Sequence, residues 1–594
     1  MADTLQPVTG QPVTGQPVRG GPAQPPILAR RGPDLLRHVP ALTLAIFLAP
    51  IAAGLIGTWL PAFGHFPALG HEGWSLEPWR KLFAEPGLTG ALRLSLVSGF
   101  LSTLLSLVLV LAFVASCQGT AFFQQMRRLL APLLSVPHVS LAIGLAFLIA
   151  PSGWFVRLLS PWATGWDRPP DIALVQDPSG LALTAGLVLK EAPFLFLMTL
   201  AALGQSQASE RLAVARSLGY GPVTAWIKTV MPAIYPQIRL PIYAVLAYAL
   251  SVVDMALILA PATPPPLAVL VFRLFNDPDL TMRLTAAAGA SLQLGIVVAG
   301  IGLWRAFELI LVRACRPWLS AGGRGGNGRV ARTLGGGAML LLSALSAASL
   351  LALALWSLAK RWRYPDALPN GWTLDNWMRQ ADGLLWSGTT TVVAGLAAAL
   401  IALALVLGCL ENEKRHGLKP SSRGLWLLYT PLLVPQVGFL FGVQVLAVEV
   451  GLDGTWTALI WSHLLFVLPY VFLSLAEPYR ALDERYARAA LCLGASPNRV
   501  FWRVKLPMLL RPALTALAVG FAVSVAQYLP TLFAGGGRFV TLTTEAVSLA
   551  AGADRRVIGV TALLQAAMPF CAFALALLLP AWIFRRRDAL RTGT

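Results

Sequence analysis

Charge is scarce in this sequence: only 12% of its 594 residues are Asp, Glu, Lys or Arg, about half the 25% share of an ordinary soluble domain. Too few polar groups remain to cover a globular surface of that size. Acidic residues are the scarcer sign, 27 against 46 basic ones. The five cysteines, Cys117, Cys315, Cys409, Cys492 and Cys571, form no CxxC pair, so neither a disulfide framework nor a zinc site is indicated. No Asp, Glu and His cluster stands at one end of the apolar segments, as a membrane-embedded enzyme would need. One glycine-rich stretch, "GRGGNGRV" from Gly323, resembles a phosphate loop but lacks the Lys-Ser/Thr pair that would reach phosphate and magnesium. No catalytic residue, metal ligand or cofactor bound by this chain is expected.

Apolar residues fill the space that charge leaves, at 56% of the chain and a mean hydropathy of +0.67. Runs of about 20 apolar residues, each long enough to cross a bilayer, cover 41–60, 92–116, 129–150, 181–203, 238–260 and 285–310. Further runs cover 338–358, 389–409, 425–446, 456–476, 512–533 and 557–584. About twelve spans result. They must be helices, because lipid offers an unpaired backbone no hydrogen bonds, so the expected fold is an all-α polytopic membrane protein. The net charge of +19 could serve nucleic acid, but it follows topology instead. With the amino terminus cytoplasmic, about 30 of the 46 Lys and Arg fall in cytoplasmic segments, as the positive-inside rule requires. Both termini are then cytoplasmic, and the lipid bilayer, not nucleic acid, is the expected surroundings. Lys360, Arg361 and Arg363, in "KRWRYP", are the exception on the outer side.

Residues 1–38 repeat "QPVTG", "QPVTG" and "QPVRG" and are expected to be a disordered cytoplasmic tail. The Gly- and Arg-rich stretch 313–336, which contains "GRGGNGRV", has the composition of a flexible cytoplasmic linker and divides the chain into halves at 39–312 and 337–587, with a short tail at 588–594. The halves repeat one another. "SLEPWRKLF" at Ser75 matches "TLDNWMRQA" at Thr373, "APLLSVPHV" at Ala131 matches "YTPLLVPQV" at Tyr429, and "PFLFL" at Pro193 matches "PYVFL" at Pro469. With six spans in each half, the repeats point the same way through the membrane.

One more repeat is polar. "LGYGPVTAWIKTVMP" at Leu218 and "LGASPNRVFWRVKLP" at Leu493 set a glycine and a proline at the same separation, 219 to 232 and 494 to 507, between the fourth and fifth spans on the cytoplasmic side. Small residues precede each glycine: Ala213, Val214 and Ala215 in the first loop, Ala487, Ala489 and Ala490 in the second. They are expected to form one face of a short helix that the glycine ends by taking positive φ. Val223, Trp226 and Ile227, or Val500, Phe501 and Val504, then lead at helical spacing to the proline that opens the next span.

Both loops resemble the EAA loop of ABC importer permeases, and "SVVDMALILAP", "QYLPTLFAGGGRF" and "TLTTEAVSLAAGADRRVIGV" are similar to YnjC-type permeases within the fused double permeases for thiamine, iron(III) and polyamines. The resemblance covers roughly residues 41–587. It implies a type I importer permease fold in a bacterial inner membrane, passing a small solute delivered by an extracytoplasmic binding protein. The loops would dock on a separate ABC ATPase dimer, which would hold the ATP and magnesium. Position by position, the docking residues become Ala213, Val214, Ala215, Gly219 and Pro232, and Arg488, Ala489, Ala490, Gly494 and Pro507. Neither loop has the family's glutamate.

Ionisable or polar groups inside spans are candidates for the translocation path. Lys190 and Glu191 are adjacent in the fourth span, Asp254 lies in "SVVD" of the fifth, and Gln527 holds the matching place in "SVAQ". His463 is a fifth candidate. Each also has a structural reading, as an ion pair or a hydrogen-bonded packing group. A rival function, a gradient-driven secondary transporter of six-plus-six helices, would need no ATPase and would be expected to carry a Gly- and Asp/Arg-containing loop where this chain has "QGTAFFQQMRR".

Overall fold

The computed structural model describes residues 35–418 and 422–585; nearly all of the expected amino-terminal tail and the whole of 588–594 lie outside them. The described residues form helices, with two isolated antiparallel bridges, Phe66 to His71 and Ala359 to Trp372. In the first half these are α1 (Val39–Ala62), α2 (Leu88–Cys117), α3 (Ala121–Leu133), α4 (His138–Ile149), α5 (Leu181–Gln205), α6 (Ala208–Ser217), α7 (Pro222–Ala225), α8 (Met231–Ser251), α9 (Asp254–Leu259) and α10 (Met282–Ser320). The second half supplies α11 (Arg329–Leu358), α12 (Ala381–Arg415), α13 (Ser422–Leu433), α14 (Val437–Glu449), α15 (Trp456–Arg480), α16 (Glu484–Cys492), α17 (Pro497–Val500), α18 (Leu510–Val525), α19 (Leu529–Gly535) and α20 (Arg555–Ile583). Shorter helices connect them.

Among the described residues, nine helices are long and apolar enough to cross a membrane, and eleven spans result if each of two bent pairs counts as one. Four expected spans are broken. Span 129–150 becomes the end of α3 and α4, separated by Leu134–Pro137, because Pro132 and Pro137 withdraw backbone donors there. Span 425–446 is bent by 102° between α13 and α14, where Pro431 and Pro435 fall at the equivalent place of the repeat. Span 238–260 is α8 and α9, split at Val252 and Val253, and span 512–533 is α18 and α19, split at 526–528. The breaks therefore repeat in pairs, like the sequence.

Packing crosses the boundary between halves. Helix α1 lies on α14 of the second half, as well as on α10 and α12, whereas α11 lies on α4 and α2 of the first half and on α20. Each half thus lends its first helix to the other. Equivalent glycines permit both crossings: a Cβ on Gly144 would stand 2.5 Å from the Ser349 carbonyl oxygen on α11, and one on Gly442 would stand 2.1 Å from the Gly54 carbonyl oxygen on α1. Small residues let helix backbones approach closely where lipid supplies no hydrophobic drive. Replacing Gly442 with Val should force the helices apart at a cost of about 1–3 kcal/mol. The expected result is a lower unfolding temperature of the detergent-solubilised protein with insertion preserved, and an unchanged temperature would show that the crossing is loose.

The expected linker 313–336 is shorter than its composition suggested. Residues 313–320 continue α10 and 329–336 open α11, leaving 321–328 as the non-helical part. The segment 360–363 is held through its backbone and Trp362, which leaves the charges of Lys360, Arg361 and Arg363 without a structural explanation. Arg157 donates to the Arg363 carbonyl at 2.7 Å, its guanidinium lies 5.1 Å from the Trp362 ring, and Arg556 donates to the Lys360 carbonyl at 2.9 Å.

Candidate coupling loops and the polar cluster within the membrane

The two glycine loops have the same backbone. Helix α6 ends at Gly219 and α16 at Gly494, both at φ +82°, the left-handed region that glycine enters without a Cβ penalty. At the second loop Ala495 N–H donates to the Ala490 carbonyl at 3.1 Å and Gly494 N–H to Leu491 at 3.0 Å. At the first, Tyr220 N–H reaches Ala215 at 3.2 Å and Gly219 N–H reaches Arg216 at 2.9 Å. This paired pattern is the Schellman termination, which satisfies the last carbonyls of a helix. A short helix follows in each, α7 or α17, then a wide π turn at Trp226–Val230 or Phe501–Lys505. The next helix opens with Pro232 or Pro507 in its first turn.

The small residues do not share one face. Three consecutive helical positions fan out by about 100° per step; Ala215 turns inward at 3% exposure, beside buried Leu212, while Ala213 and Val214 face out. In the second loop Arg488 and Ala489 are exposed and Ala487 and Ala490 are half-buried. Exposed apolar groups complete the surface: Leu218 in the first loop, and Tyr486, Leu493 and Trp502 in the second.

The loops are braced differently. Trp226 Nε1 donates to Gln118 Oε1 at 2.8 Å, fixing the first loop to the end of α2. The second is tied to α12 by ion pairs that sequence reading missed. Glu411, with its side chain 4% exposed, accepts from Lys505 at 2.7 Å, from Arg415 at 2.7 Å and from the Tyr479 hydroxyl. Lys414 pairs with Glu484 at 3.0 Å, and Arg415 donates to Asn498 at 3.0 Å. The hint in the sequence was the pair of glutamates, Glu411 and Glu413, in "CLENEKRHG". Asp483 caps α16 through the Arg485 N–H at 2.9 Å, which holds its carboxyl below the usual range. That cap is therefore complete above the ordinary carboxylate pKa and is lost as pH falls through the lowered one.

Inside the membrane the candidate residues divide. Lys190 donates to the Leu134 and Val136 carbonyls at 2.9 and 2.5 Å, two acceptors released by the break before α4, rather than bonding to Glu191. Its ammonium remains within electrostatic reach of Glu191 and Asp254. Asp254 accepts from the Tyr248 hydroxyl at 3.2 Å and its neighbour's N–H, Met255, at 2.9 Å. His138 lies 4.9 Å from the Tyr248 ring, while Tyr470 lies in the field of the Glu191 carboxyl and Tyr528, beside Gln527, in that of Asp254 from the other half, neither by a hydrogen bond. His138, Tyr248, Tyr470 and Tyr528 were not singled out from the sequence, although His138 stands in the repeated "VPHV". Gln527 itself donates to the Val523 carbonyl at 3.3 Å. His463 is apart from the cluster: its ring nitrogens meet Ser524 Oγ at 2.6 Å and Thr531 Oγ1 at 2.9 Å, pinning α15 to both sides of the break between α18 and α19.

A polytopic bundle of two equivalent halves, each with an exposed glycine-ended helix and a broken pair of spans around a polar centre, has the build of a transport permease. The chain belongs to the inner-membrane permeases of ABC transporters. Residues 384–587 match the family model of the binding-protein-dependent transport system inner membrane component. The inner membrane ABC transporter permease protein YnjC of Escherichia coli (strain K12) is 33% identical over 558 residues, which are 94% of this chain and 99% of that one. The molybdenum transport system permease protein ModB of Mycobacterium tuberculosis is 29% identical over 190 residues, 30% of this chain and 70% of its own. The putative 2-aminoethylphosphonate transport system permease protein PhnV of Salmonella typhimurium is 24% identical over 196 residues, 32% of this chain and 73% of its own. The protein is a multi-pass inner-membrane permease with two fused halves.

Proposed function

We propose that one copy of the chain forms the whole translocation path of an importer, with α6 and α16 docking on the two subunits of a separate ATPase dimer and an extracytoplasmic binding protein delivering the solute. The observation that carries this reading is the identical termination of two exposed helices, at Gly219 and Gly494, in equivalent places of a duplicated bundle. ATP and magnesium belong to the partner, and this chain supplies no catalytic residue or cofactor. The coupling surface comprises Ala213, Val214, Gly219 and Pro232 with Arg488, Ala489, Ala490, Gly494 and Pro507, while Ala215 seats α6 on its own bundle. The halves 39–312 and 337–587 act as units of the path, and both termini face the ATPase side. Relatives named for molybdenum, 2-aminoethylphosphonate and putrescine differ too much in charge for any of these solutes to be transferred.

The test is purification of the chain from its native membrane with associated proteins retained. A nucleotide-binding partner and vanadate-sensitive ATP hydrolysis are expected. Transport that needs no such partner and stops when the ion gradient is collapsed would favour the secondary-transporter reading.

Asp254, with Lys190, Glu191 and Gln527, lines the proposed route, and His463 holds its wall. Asp254→Leu removes a charged acceptor worth about 1.5–3 kcal/mol per hydrogen bond, equivalent to about tenfold or more. Uptake of the solute carried by the cognate binding protein should fall to about a tenth or less while ATPase association stays intact. Undiminished uptake at equal expression would make Asp254 a packing group.

A further inference from the structure

A glycine-rich tether between two halves should wander. Segment 321–328 instead lies along the first coupling loop. The Arg324 carbonyl accepts from Gly221 N–H at 2.8 Å, and Lys228 Nζ donates to the Ala321 carbonyl at 2.6 Å. The same ammonium sits 4.9 Å from the Trp318 ring and 5.3 Å from that of Tyr220, tying the end of α10 to the loop by cation–π attraction as well. Gly325, at φ +70°, passes so close that a Cβ there would stand 2.0 Å from Thr224 Oγ1, and one on Gly221 would stand 2.0 Å from the Gly326 carbonyl oxygen. The seat is fitted to glycine on both sides.

This places the Arg324 side chain across the turn at Gly219, with Nη1 3.3 Å from the position a Cβ would take. Arg324 is exposed, and its guanidinium enters no hydrogen bond or ion pair among the described residues. Exposed Arg211 and Arg216 lie on the adjoining helix, and exposed Leu218 precedes the glycine. Among the described residues the second loop has no counterpart, since none of them stands within 4 Å of a Cβ on Gly494. Two identical ATPase subunits would therefore meet two different surfaces.

We propose that the interdomain linker is a third element of the docking surface, and that Arg324, held beside Gly219, binds an acidic side chain on the rim of the ATPase's groove. This rests on the reading that the glycine loops dock the ATPase. A cation held by a hydrogen-bonded backbone loses less freedom on binding than one on a mobile tether, and a basic patch selects an acidic partner. Anionic lipid headgroups share that charge. The ATPase is the better occupant because Arg324 is continuous with the exposed apolar groups Val214 and Leu218, which fit a protein groove and not a hydrated headgroup layer.

The direct test is Arg324→p-benzoylphenylalanine in the full permease and ATPase complex, irradiated in membranes. An adduct with the ATPase is expected; adducts with lipid alone, or only within this chain, would overturn the proposal. In parallel, Arg324→Glu should lower ATPase retention on the purified permease by tenfold or more in a low-salt wash, whereas Arg324→Lys should keep most of it. Gly325→Val, which must leave its seat against Thr224, should act like Arg324→Glu. Wild-type retention in both Arg324→Glu and Gly325→Val would also overturn it. If those variants bind normally while Gly219→Val and Gly494→Val lose the ATPase, the linker role alone fails; if the glycine variants bind normally too, the docking reading beneath it fails.

Discussion

The double variant Gly219→Val and Gly494→Val should insert normally and lose its ATPase. Both positions are at φ +82°, where a β-branched side chain is a steric outlier and the left-handed conformation costs about 1–2 kcal/mol per residue. The loops are exposed, so the chain can relieve that strain by unwinding the Schellman turn without disturbing the spans. A distorted turn no longer presents Leu493 or Leu218 at the proposed contact, and a loss of about 1.4 kcal/mol per loop would weaken association about tenfold at each. Co-purification of the ATPase from solubilised membranes reads this directly, with gel filtration as the folding control. Full retention in the double variant would remove the loops from the coupling path.

A comparable effect, on stability rather than on partner binding, is expected at Glu411. Its carboxylate gathers Lys505, Arg415 and Tyr479 and so joins the second coupling loop to α12 and α15. Glu411→Leu would leave two cations without their buried counter-charge, a loss of about 3–5 kcal/mol for a fully buried pair. Lys505 and Arg415 keep 14% and 23% of their side-chain surface in solvent, so water recovers part of that loss and a figure of about 3 kcal/mol is appropriate. The unfolding temperature of the solubilised protein should drop clearly, and ATPase retention should fall with it because Lys505 belongs to the loop. An unchanged melting curve would mean that the ion pairs contribute little.

Local features were legible in the sequence because they rest on local chemistry. The glycine turns appeared as Gly494 and Gly219 at fixed distance from a proline, and the duplicated order of spans appeared as repeated segments. The breaks at Pro132, Pro137, Pro431 and Pro435 were also written there, but hydropathy alone ran through them, since an apolar helix and an apolar broken pair have the same composition. What stayed hidden depends on partners far along the chain. Lys190 beside Glu191 reads as an ion pair, yet the carbonyls it binds belong to residues 134 and 136. The exchange of α1 and α11 between halves leaves no pattern in segments apolar on every face, although Gly144 and Gly442, equivalent in the repeat, stand where they cross. The linker misled for a related reason: glycine suits a mobile tether, and it equally suits a backbone laid closely against Thr224 and Gly221.

That a single chain holds both halves and both proposed docking sites has a direct consequence for stoichiometry. Native mass measurement of the transporter, purified with its ATPase from membranes, should give one copy of this chain to two ATPase subunits. Two copies of this chain in each complex would contradict it, because each would then leave one coupling loop unused.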